Sequence, residues 1–252
     1  MSNNVQANLE VVNKQIHAAA KRAERNASEI TLVAVTKTHP LETVIEAYKA
    51  GLHDFGENRV LDGKEKVEAM AKWLETQPDA DPSHWHFIGH VQSRQVTQVL
   101  EGRYHLLHSI DSLKLARRVN RLAEQDGYPP VNVLLQCNVS GESTKSGFEL
   151  TGWNEDNSKL LSFIKTVVEI SRLEKIVIRG LMTMAPWSNN PETARSTFIS
   201  LAALRHVLTV ETPTIDWHHL SMGMTDDFEV AIEEGATIIR VGRALFGERN
   251  YT

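Results

Sequence analysis

The chain has 252 residues with 32 acidic and 27 basic side chains, a net charge of −5 and 41% hydrophobic residues. This composition is that of an ordinary folded protein and excludes an intrinsically disordered chain. The acidic balance argues against nucleic acid as a partner, because proteins that bind nucleic acid concentrate lysine and arginine on one face. With the single cysteine Cys137, no intramolecular disulfide can form and no cysteine-rich metal site is available. We therefore expect a cytoplasmic protein without a nucleic-acid partner.

The N-terminal residues 1–28 predict an amphipathic helix that covers the rest of the protein. Apolar residues recur at intervals of three and four, which places them on one stripe of a helix: Val5, Leu9, Val12, Ile16 and Ala20. A helix lying on a membrane surface is the alternative, but these apolar side chains are small and the flanking cations are few. The segment lacks the apolar core of a signal peptide, and nowhere do about 18 apolar residues follow one another, so we expect no membrane partner.

Short β-branched segments then alternate with helical patterns along the chain. Eight segments predict strands, namely residues 30–36, 53–57, 84–89, 104–110, 131–139, 176–184, 218–223 and 237–247. Several are apolar on both faces, as expected of parallel strands buried between a core and a layer of helices. Helix starts are indicated near Pro40, at Asp111 or Ser112, and at Thr225.

Eight strand–helix repeats favour an α/β fold with a single (β/α)8 TIM barrel over residues 30–248, preceded by the extra N-terminal helix. An open, doubly wound sheet uses the same units and is the alternative. Residues 141–159 predict a long loop with a turn-rich insert, and no flexible linker divides the chain. We therefore expect one domain over residues 1–252.

In a TIM barrel the active site lies at the carboxyl ends of the strands, which makes Lys37 the most informative candidate. Val33, Val35 and Lys37 share one face of the first strand, so the amine extends an apolar row. Loss of solvation lowers the pKa of a lysine and makes it a nucleophile toward an aldehyde. The alternative is a lysine at the strand end that reaches into solvent.

A second candidate is a phosphate site formed by the last two strands. Residues 221–227 end at a predicted helix N-terminus, where free backbone amides and the helix dipole favour an anion. The predicted eighth strand supplies Arg240 and Arg243, and Gly242 between them permits close approach of the backbone. TIM barrels frequently bind phosphate at the loops after strands seven and eight. Ordinary turns at both places are the alternative.

Arg240 places a fixed positive charge within an apolar strand and therefore needs an acceptor. The nitrogen of a cofactor ring would serve as one. A buried ion pair is equally consistent with the spacing, and three acidic residues are candidate partners: Glu57, Asp111 and Asp216.

The other chemical motifs are weaker. His84, His86 and His90, or the pair His218 and His219, suggest zinc, but no helical spacing of ligands supports it, and we expect no metal. The sequence has no phosphate-binding P-loop, no dinucleotide-binding glycine motif and no nucleophile elbow.

Seven segments, taken in order, resemble one known family, the pyridoxal phosphate homeostasis proteins. The resemblance implies a barrel similar to the N-terminal barrel of bacterial alanine racemase, with pyridoxal 5′-phosphate (PLP) held as a Schiff base. It extends from about residue 30 to residue 248 and is carried by LVAVTK, FGENRV, HFIGHVQ, HSIDS, STKSGF, GLMTMAP and LSMGMTDDFEVAIEEGATIIRVGRALFG.

By position, the resemblance implies that Lys37 forms the Schiff base and that Asn58 lies beside the cofactor ring. Arg240 matches an arginine that faces the pyridine nitrogen. His90 and Met222 are further cofactor-binding positions implied by the same comparison.

The same resemblance implies a phosphate cradle made of Ser221, Gly223 and Gly242. Arg243 stands where many members of the family have a small threonine or serine. Its guanidinium therefore replaces a hydroxyl contact to the phosphate, or that contact is lost.

The function implied is that of a monomeric PLP carrier with little or no turnover, which supplies apo PLP-dependent enzymes. A PLP-dependent amino-acid racemase is the alternative from the enzyme class, but racemases of this type add a C-terminal domain with an acid/base tyrosine, and we expect none here. PLP enzymes that use the ring as a full electron sink place a carboxylate at the pyridine nitrogen, and Arg240 does the opposite. A lyase-type barrel with a Schiff-base lysine for sugar phosphates is a third interpretation.

Overall fold

The computed structural model describes residues 4–142 and 146–247. Eight strands pair in parallel in the order β4-β3-β2-β1-β9-β8-β7-β5, and β5 pairs again with β4, which closes the barrel. The predicted TIM barrel is therefore confirmed. The strands are β1 Thr31–Val35, β2 Asp54–Glu57, β3 His84–Phe87, β4 Leu106–Ile110, β5 Val131–Asn138, β7 Ile176–Met182, β8 His219–Ser221 and β9 Ile238–Val241, with a short β6, Phe148–Glu149, beside β5.

Helices follow the strands and surround the barrel. Their starts carry the caps that the sequence indicates in two places: Pro40 precedes α2, and the Ser112 hydroxyl accepts a hydrogen bond from the Leu115 backbone amide at the start of α5. The helices are α1 Val5–Arg22, α2 Leu41–Lys49, α3 Val60–Leu74, α4 Val96–Glu101, α5 Leu113–Gln125, α6 Asn157–Ser171, α7 Arg195–Glu211, α8 Phe228–Glu233 and α9 Arg243–Phe246, with 3₁₀ turns at Ala27–Glu29, Ser93–Gln95 and Pro191–Ala194.

Three predicted boundaries are wrong. Residues 243–246 form α9 and not the end of a strand, because a short apolar segment has no periodicity that separates the two. Helix α8 begins at Phe228 after Asp227, not after Thr225. The loop predicted for residues 141–159 contains β6 and the first turn of α6; its residues 143–145 lie outside the described part of the chain.

The predicted N-terminal helix is α1, and its apolar stripe is buried. The helix lies against α8 and α9: the Asn8 amide donates to the carbonyl oxygen of Leu245 at 2.8 Å, and Arg22 forms ion pairs with Glu229 and Glu233. α1 thus covers the outside of the barrel next to its last strand. In the described residues, no helix has both the length and the apolar character needed to cross a membrane.

Two separate apolar clusters form the core. The larger one fills the layer between the strands and the helices and includes Phe55, Phe87 and Phe198. The smaller one lies inside the barrel and consists of Val33, Leu106, Leu134, Met182 and Ile238. Because successive strand residues face opposite sides, β1, β4, β5, β7 and β9 contribute to both clusters.

Candidate functional site

The parallel strands bring the predicted site residues to one end of the barrel. Each of them stands at the carboxyl end of a strand or a few residues beyond it, so they surround the same mouth. Lys37 follows β1, Asn58 follows β2, His90 follows β3, Ser221, Met222 and Gly223 belong to the end of β8 and its loop, and Arg240, Gly242 and Arg243 belong to β9 and the residues after it.

Lys37 and Arg240 are carried by neighbouring strands. β1 pairs with β9, and Val33 lies opposite Arg240 in the register. Val33 belongs to the cluster inside the barrel, which confirms the face that the sequence predicts for the row ending in Lys37. The Lys37 side chain is half-buried, and the left-handed φ of 68° at Thr38 turns the chain sharply just after it.

A buried ion pair anchors the segment that precedes Lys37. Lys66 Nζ on α3 lies 2.6 Å from Glu57 Oε1 and donates to the carbonyl oxygen of Thr36 at 2.7 Å. The Thr36 hydroxyl donates to the same Glu57 oxygen at 2.6 Å. Sequence reasoning missed Lys66; the signal was its position on the buried stripe of α3, between Gly63 and Met70.

Asn58 presents an unused acceptor at the mouth. Its Oδ1 atom is buried and has no hydrogen-bond partner among the described residues. Buried polar atoms are nearly always hydrogen-bonded, so an orphaned acceptor beside a predicted site indicates a place for a ligand group.

His90 and Asp111 form a pair on the rim. His90 Nδ1 lies 3.4 Å from Asp111 Oδ2, and the imidazole is about half exposed. A carboxylate beside one ring nitrogen orients a histidine and favours a proton on that nitrogen. The sequence analysis named both residues but did not pair them, because they follow different strands.

Arg240 is buried, and its hydrogen bonds go to neutral oxygens. Nη1 donates to Ser221 Oγ at 2.6 Å and Nη2 donates to the carbonyl oxygen of Thr183 at 3.0 Å. Burial lowers the pKa of the guanidinium to about 10, and the Asp227 charge opposes this shift. It remains a cation at neutral pH.

The proposed acidic partners of Arg240 are engaged elsewhere, so the ion-pair alternative is wrong for these residues. Each of the three acids contacts a different side chain: Glu57 forms an ion pair with Lys66, Asp216 forms one with Arg179, and Asp111 lies beside His90.

Below Arg240, the barrel interior contains polar residues that sequence reasoning did not connect. His108 Nδ1 lies 2.9 Å from Ser221 Oγ, and His108 Nε2 lies 2.9 Å from His86 Nδ1. His86 Nε2 in turn lies 2.9 Å from Asp54 Oδ1. The available signal was alternation: His108 shares a strand face with Leu106, which belongs to the cluster inside the barrel.

The loop after β8 has the tight backbone predicted for a phosphate cradle. Gly223 has a φ of 94°, and a Cβ atom there would lie 2.6 Å from Ala231 Cβ, so only glycine fits. Met222 is fully buried. The Asp227 carboxylate accepts a hydrogen bond from the Met224 amide at 2.6 Å, and burial raises the pKa of that carboxyl.

Two predicted phosphate contacts already have partners in the structure. The Ser221 hydroxyl is buried between Arg240 and His108. Arg243 Nη2 contacts both carboxylate oxygens of Asp226, at 2.6 and 2.5 Å. Direct contacts of Ser221 and Arg243 with a phosphate therefore stay predictions, and each would require its side chain to share or change partners.

Comparison with known proteins places the chain in a family. The family described as alanine racemase, N-terminal domain, matches residues 8–250. The pyridoxal phosphate homeostasis protein of Vibrio cholerae is 39% identical over 250 residues and covers 98% of both chains. The protein of the same name from Escherichia coli K12 is 40% identical over 256 residues and covers 99% of both. The chain belongs to the pyridoxal phosphate homeostasis protein family.

A solved structure supports both the family and the fold. PipY from Synechococcus elongatus PCC7942, determined with PLP bound, is 30% identical, with a TM-score of 0.72 over 92% of this chain and all of that one. The resemblance found in the sequence is therefore confirmed for the family and for the barrel. The contacts of the individual site residues with a cofactor stay predictions. Within residues 4–142 and 146–247, no group of three or more His, Cys, Asp and Glu side chains is arranged to hold a metal ion.

Proposed function

We propose that this chain binds PLP at the carboxyl mouth of the barrel, attached to Lys37, and serves as a carrier of the cofactor. One observation carries the proposal: β1 and β9 are paired so that Lys37 and the buried Arg240 stand on adjacent strands at one mouth. The names of the relatives and the PLP bound to PipY agree with it.

The residues present fit the cofactor. Lys37 supplies a half-buried amine for the aldehyde, Asn58 supplies a buried acceptor without a partner, and Gly223 lets the loop after β8 pack directly against α8. PLP, when bound, supplies a reactive aldehyde and a pyridine ring that accepts electron density. Arg240 supplies a fixed donor in a place from which water is excluded.

Arg240 also favours a carrier over a general PLP enzyme. A guanidinium donates hydrogen bonds and cannot accept them, so beside a pyridine nitrogen it favours the unprotonated ring. An unprotonated ring is the weaker electron sink, which disfavours transamination and decarboxylation. Binding of the cofactor does not depend on this electronic property.

None of the tyrosines among the described residues is placed to act as the acid/base that a racemase requires. Tyr104 and Tyr128 precede β4 and β5, at the amino ends of strands, and the Tyr48 hydroxyl donates to the carbonyl oxygen of Asp81. Tyr251 lies outside the described residues.

We infer that the protein holds PLP and passes it to apo PLP-dependent enzymes as a cytoplasmic monomer.

Covalent attachment is tested by borohydride reduction of the PLP-loaded protein followed by peptide mapping. The pyridoxyl group is expected on Lys37, and the Lys37→Ala variant should lose the visible absorption band and the adduct together. Lys66 is an internal control, because Glu57 and Thr36 hold its amine on the outer side of the barrel wall. Modification spread over surface lysines, with Lys37 unmodified, would contradict the proposal.

The carrier role is tested by comparing two rates on the same preparation. Transfer of PLP to an apo-enzyme is expected, whereas deuterium exchange at the α-carbon of L- and D-alanine should be very slow. Loss of one positioned general acid or base typically costs about 10²- to 10⁴-fold in rate. Stereoinversion at an ordinary enzymatic rate, about 1 to 10³ per second, would overturn the carrier role.

The pair His90–Asp111 favours residual racemase activity as a second candidate function, because an oriented imidazole on the rim is able to move a proton. If the slow exchange depends on this pair, Asp111→Asn should reduce it further while leaving PLP attachment unchanged, because Asp111 orients His90 and is not a predicted cofactor-binding residue. Equal exchange in the two proteins would remove the pair from consideration.

A further inference from the structure

A continuous chain of hydrogen bonds crosses the interior of the barrel from its amino end to the mouth. It begins at Asp54, the first residue of β2, and ends at Arg240 of β9. Between them lie His86 of β3, His108 of β4 and Ser221 of β8, with successive donor–acceptor distances of 2.9, 2.9, 2.9 and 2.6 Å. We call these five residues the interior chain.

The two ends give the interior chain one direction. The Arg240 guanidinium only donates, and an ionised Asp54 carboxylate only accepts. Ser221 therefore accepts from Arg240 and donates its own hydrogen to His108 Nδ1. His108 then carries its proton on Nε2 and donates to His86 Nδ1, and His86 carries its proton on Nε2 and donates to Asp54. In this arrangement every donor has one acceptor, and neither ring needs a second proton.

The surroundings of the two histidines support this neutral arrangement. His86 and His108 are buried, and burial, with a further contribution from the Arg240 charge, places the pKa of His108 well below its usual range. A proton on His108 Nδ1 would point at Ser221 Oγ, where the strong donor Arg240 already binds. The other titratable or charged groups that act on the pair are His84, His105, His219 and, through His105, Arg179.

We propose that Asp54, His86 and His108 are positioning residues. Acting from the barrel interior through Ser221, they hold the Arg240 guanidinium in the orientation in which it meets the cofactor, and Asp54 acts as a remote counter-charge. The effect on the cofactor rests on the proposed function, whereas the direction of the chain does not. Hydrogen bonds in a series polarise one another, so the negative end stabilises the donor at the positive end through two neutral rings. The guanidinium is thereby held in one orientation by Ser221 and Thr183.

Breaking the chain has a defined consequence at Arg240. Without His108, the Ser221 hydroxyl loses its acceptor in a buried place, and the hydroxyl reorients to find another. A hydroxyl that has turned to another acceptor no longer holds its lone pair in line with Arg240 Nη1. The guanidinium is then held only by the Thr183 carbonyl oxygen, so it is able to rotate away from the position it needs opposite a ring nitrogen.

The direction of the chain is tested without any cofactor. In protein labelled with ¹⁵N-histidine, the NMR signals of His86 and His108, assigned with His86→Gln and His108→Asn, should both show the proton on Nε2 at neutral pH. A proton on Nδ1 of either ring, or an imidazolium at either position, would overturn the proposal. Because no PLP is added, this result stands even if the chain does not bind PLP.

The effect on the site is tested by PLP titration and by the absorption spectrum of the bound cofactor. His108→Leu removes the hydrogen bonds to Ser221 and to His86. It should raise the PLP dissociation constant by about 2- to 10-fold, which corresponds to the loss of one buried hydrogen bond. His108→Asn keeps an acceptor for Ser221 and should recover part of the affinity. Asp54→Asn keeps the shape at the amino end and removes the charge, and it should shift the spectrum with a smaller loss of affinity.

The matched control is His105→Asn. His105 lies beside His86, with ring centroids 5.8 Å apart, but it is not a link of the chain. This variant should bind PLP as the unmodified protein does. If His108→Leu, folded by circular dichroism, and Asp54→Asn both behave like His105→Asn, the positioning role is wrong. If the unmodified protein itself binds no PLP, the proposed function fails, and the NMR result alone decides the direction of the chain.

Discussion

The two faces of the barrel wall differ in their chemistry. The outer face, with Phe55 and Phe87, belongs to a continuous apolar layer to which the surrounding helices contribute residues such as Phe198 of α7. The inner face has a small apolar cluster, and beside it the interior chain from Asp54 to Arg240. Both faces are formed by the same strands, because side chains alternate across each of them.

This difference separates stability from function. Burial of apolar surface against the helices contributes about 25 cal/mol per Å² and needs no particular direction. Buried polar groups are costly unless each finds a partner of the right kind, so the inner face requires correct donors and acceptors at every position. The outer face therefore tolerates changes of shape at a cost in stability, whereas the inner face determines what the mouth binds.

The largest expected effect on stability comes from the outer face. Phe198→Ala should lower the free energy of unfolding by about 3–5 kcal/mol, because it leaves a cavity in a fully buried place. Ile199→Ala on the same helix is the control, since Ile199 is 48% exposed and its loss should cost less than about 0.5 kcal/mol. Urea unfolding measures both, and similar losses in the two variants would contradict the contrast between the faces.

The ion pair Lys66–Glu57 is the polar exception on the outer face. Lys66→Met leaves the Glu57 carboxylate buried without its cation and should cost about 3 kcal/mol in stability. The double variant with Glu57→Leu should recover most of that loss, because no uncompensated charge remains. Both variants remove the Lys66 contact to the Thr36 carbonyl oxygen, and the double variant also removes the acceptor of the Thr36 hydroxyl, so covalent PLP attachment at Lys37 should become slower in each. Unchanged attachment would show that the anchor serves stability alone.

Acid should weaken the inner face. Burial, with a smaller contribution from His218, lowers the pKa of His219 from its ordinary 6.5 to about 4. As the pH falls below about 6.5, His219 therefore takes up a proton in the unfolded chain but not in the folded one. The free energy of unfolding is at its full value above that pH and decreases as the pH falls toward 4.

His219→Gln tests this pH dependence. Denaturant titrations between these two pH values should show a slope smaller by up to about one proton in the variant. His17→Gln, a change on the exposed side of α1, should leave the slope as it is. The interpretation fails if the slope in His219→Gln equals that of the unmodified protein.

The smallest expected effect is at the rim of the mouth. Arg243 and Asp226 form an ion pair in which both side chains are about half exposed. Such pairs contribute about 0.2–1 kcal/mol, so Arg243→Gln and Asp226→Asn should each change the PLP dissociation constant by less than about fivefold. A loss confined to Arg243→Gln would instead show that Arg243 contacts the phosphate directly.

Local sequence patterns determined much of the fold. The stripe of α1, the apolar strands and the cap at Ser112 are periodic or adjacent features, and the structure agrees with each. The face that carries Val33 toward Lys37 followed from alternation alone. The extent of short elements was wrong for α9 and for the start of α8, and the predicted loop over residues 141–159 contains the short β6 and the first turn of α6.

The tertiary structure alone decided which polar groups meet. His86, His108 and Ser221 lie on three strands that are far apart in the sequence, and Lys66 reaches Glu57 and Thr36 from a helix. Closure of the barrel places these groups within hydrogen-bond distance, and no local pattern encodes the register of strands that are joined through helices. The sequence thus determined where Lys37 and Arg240 stand, whereas the partners that hold them depend on contacts between distant strands.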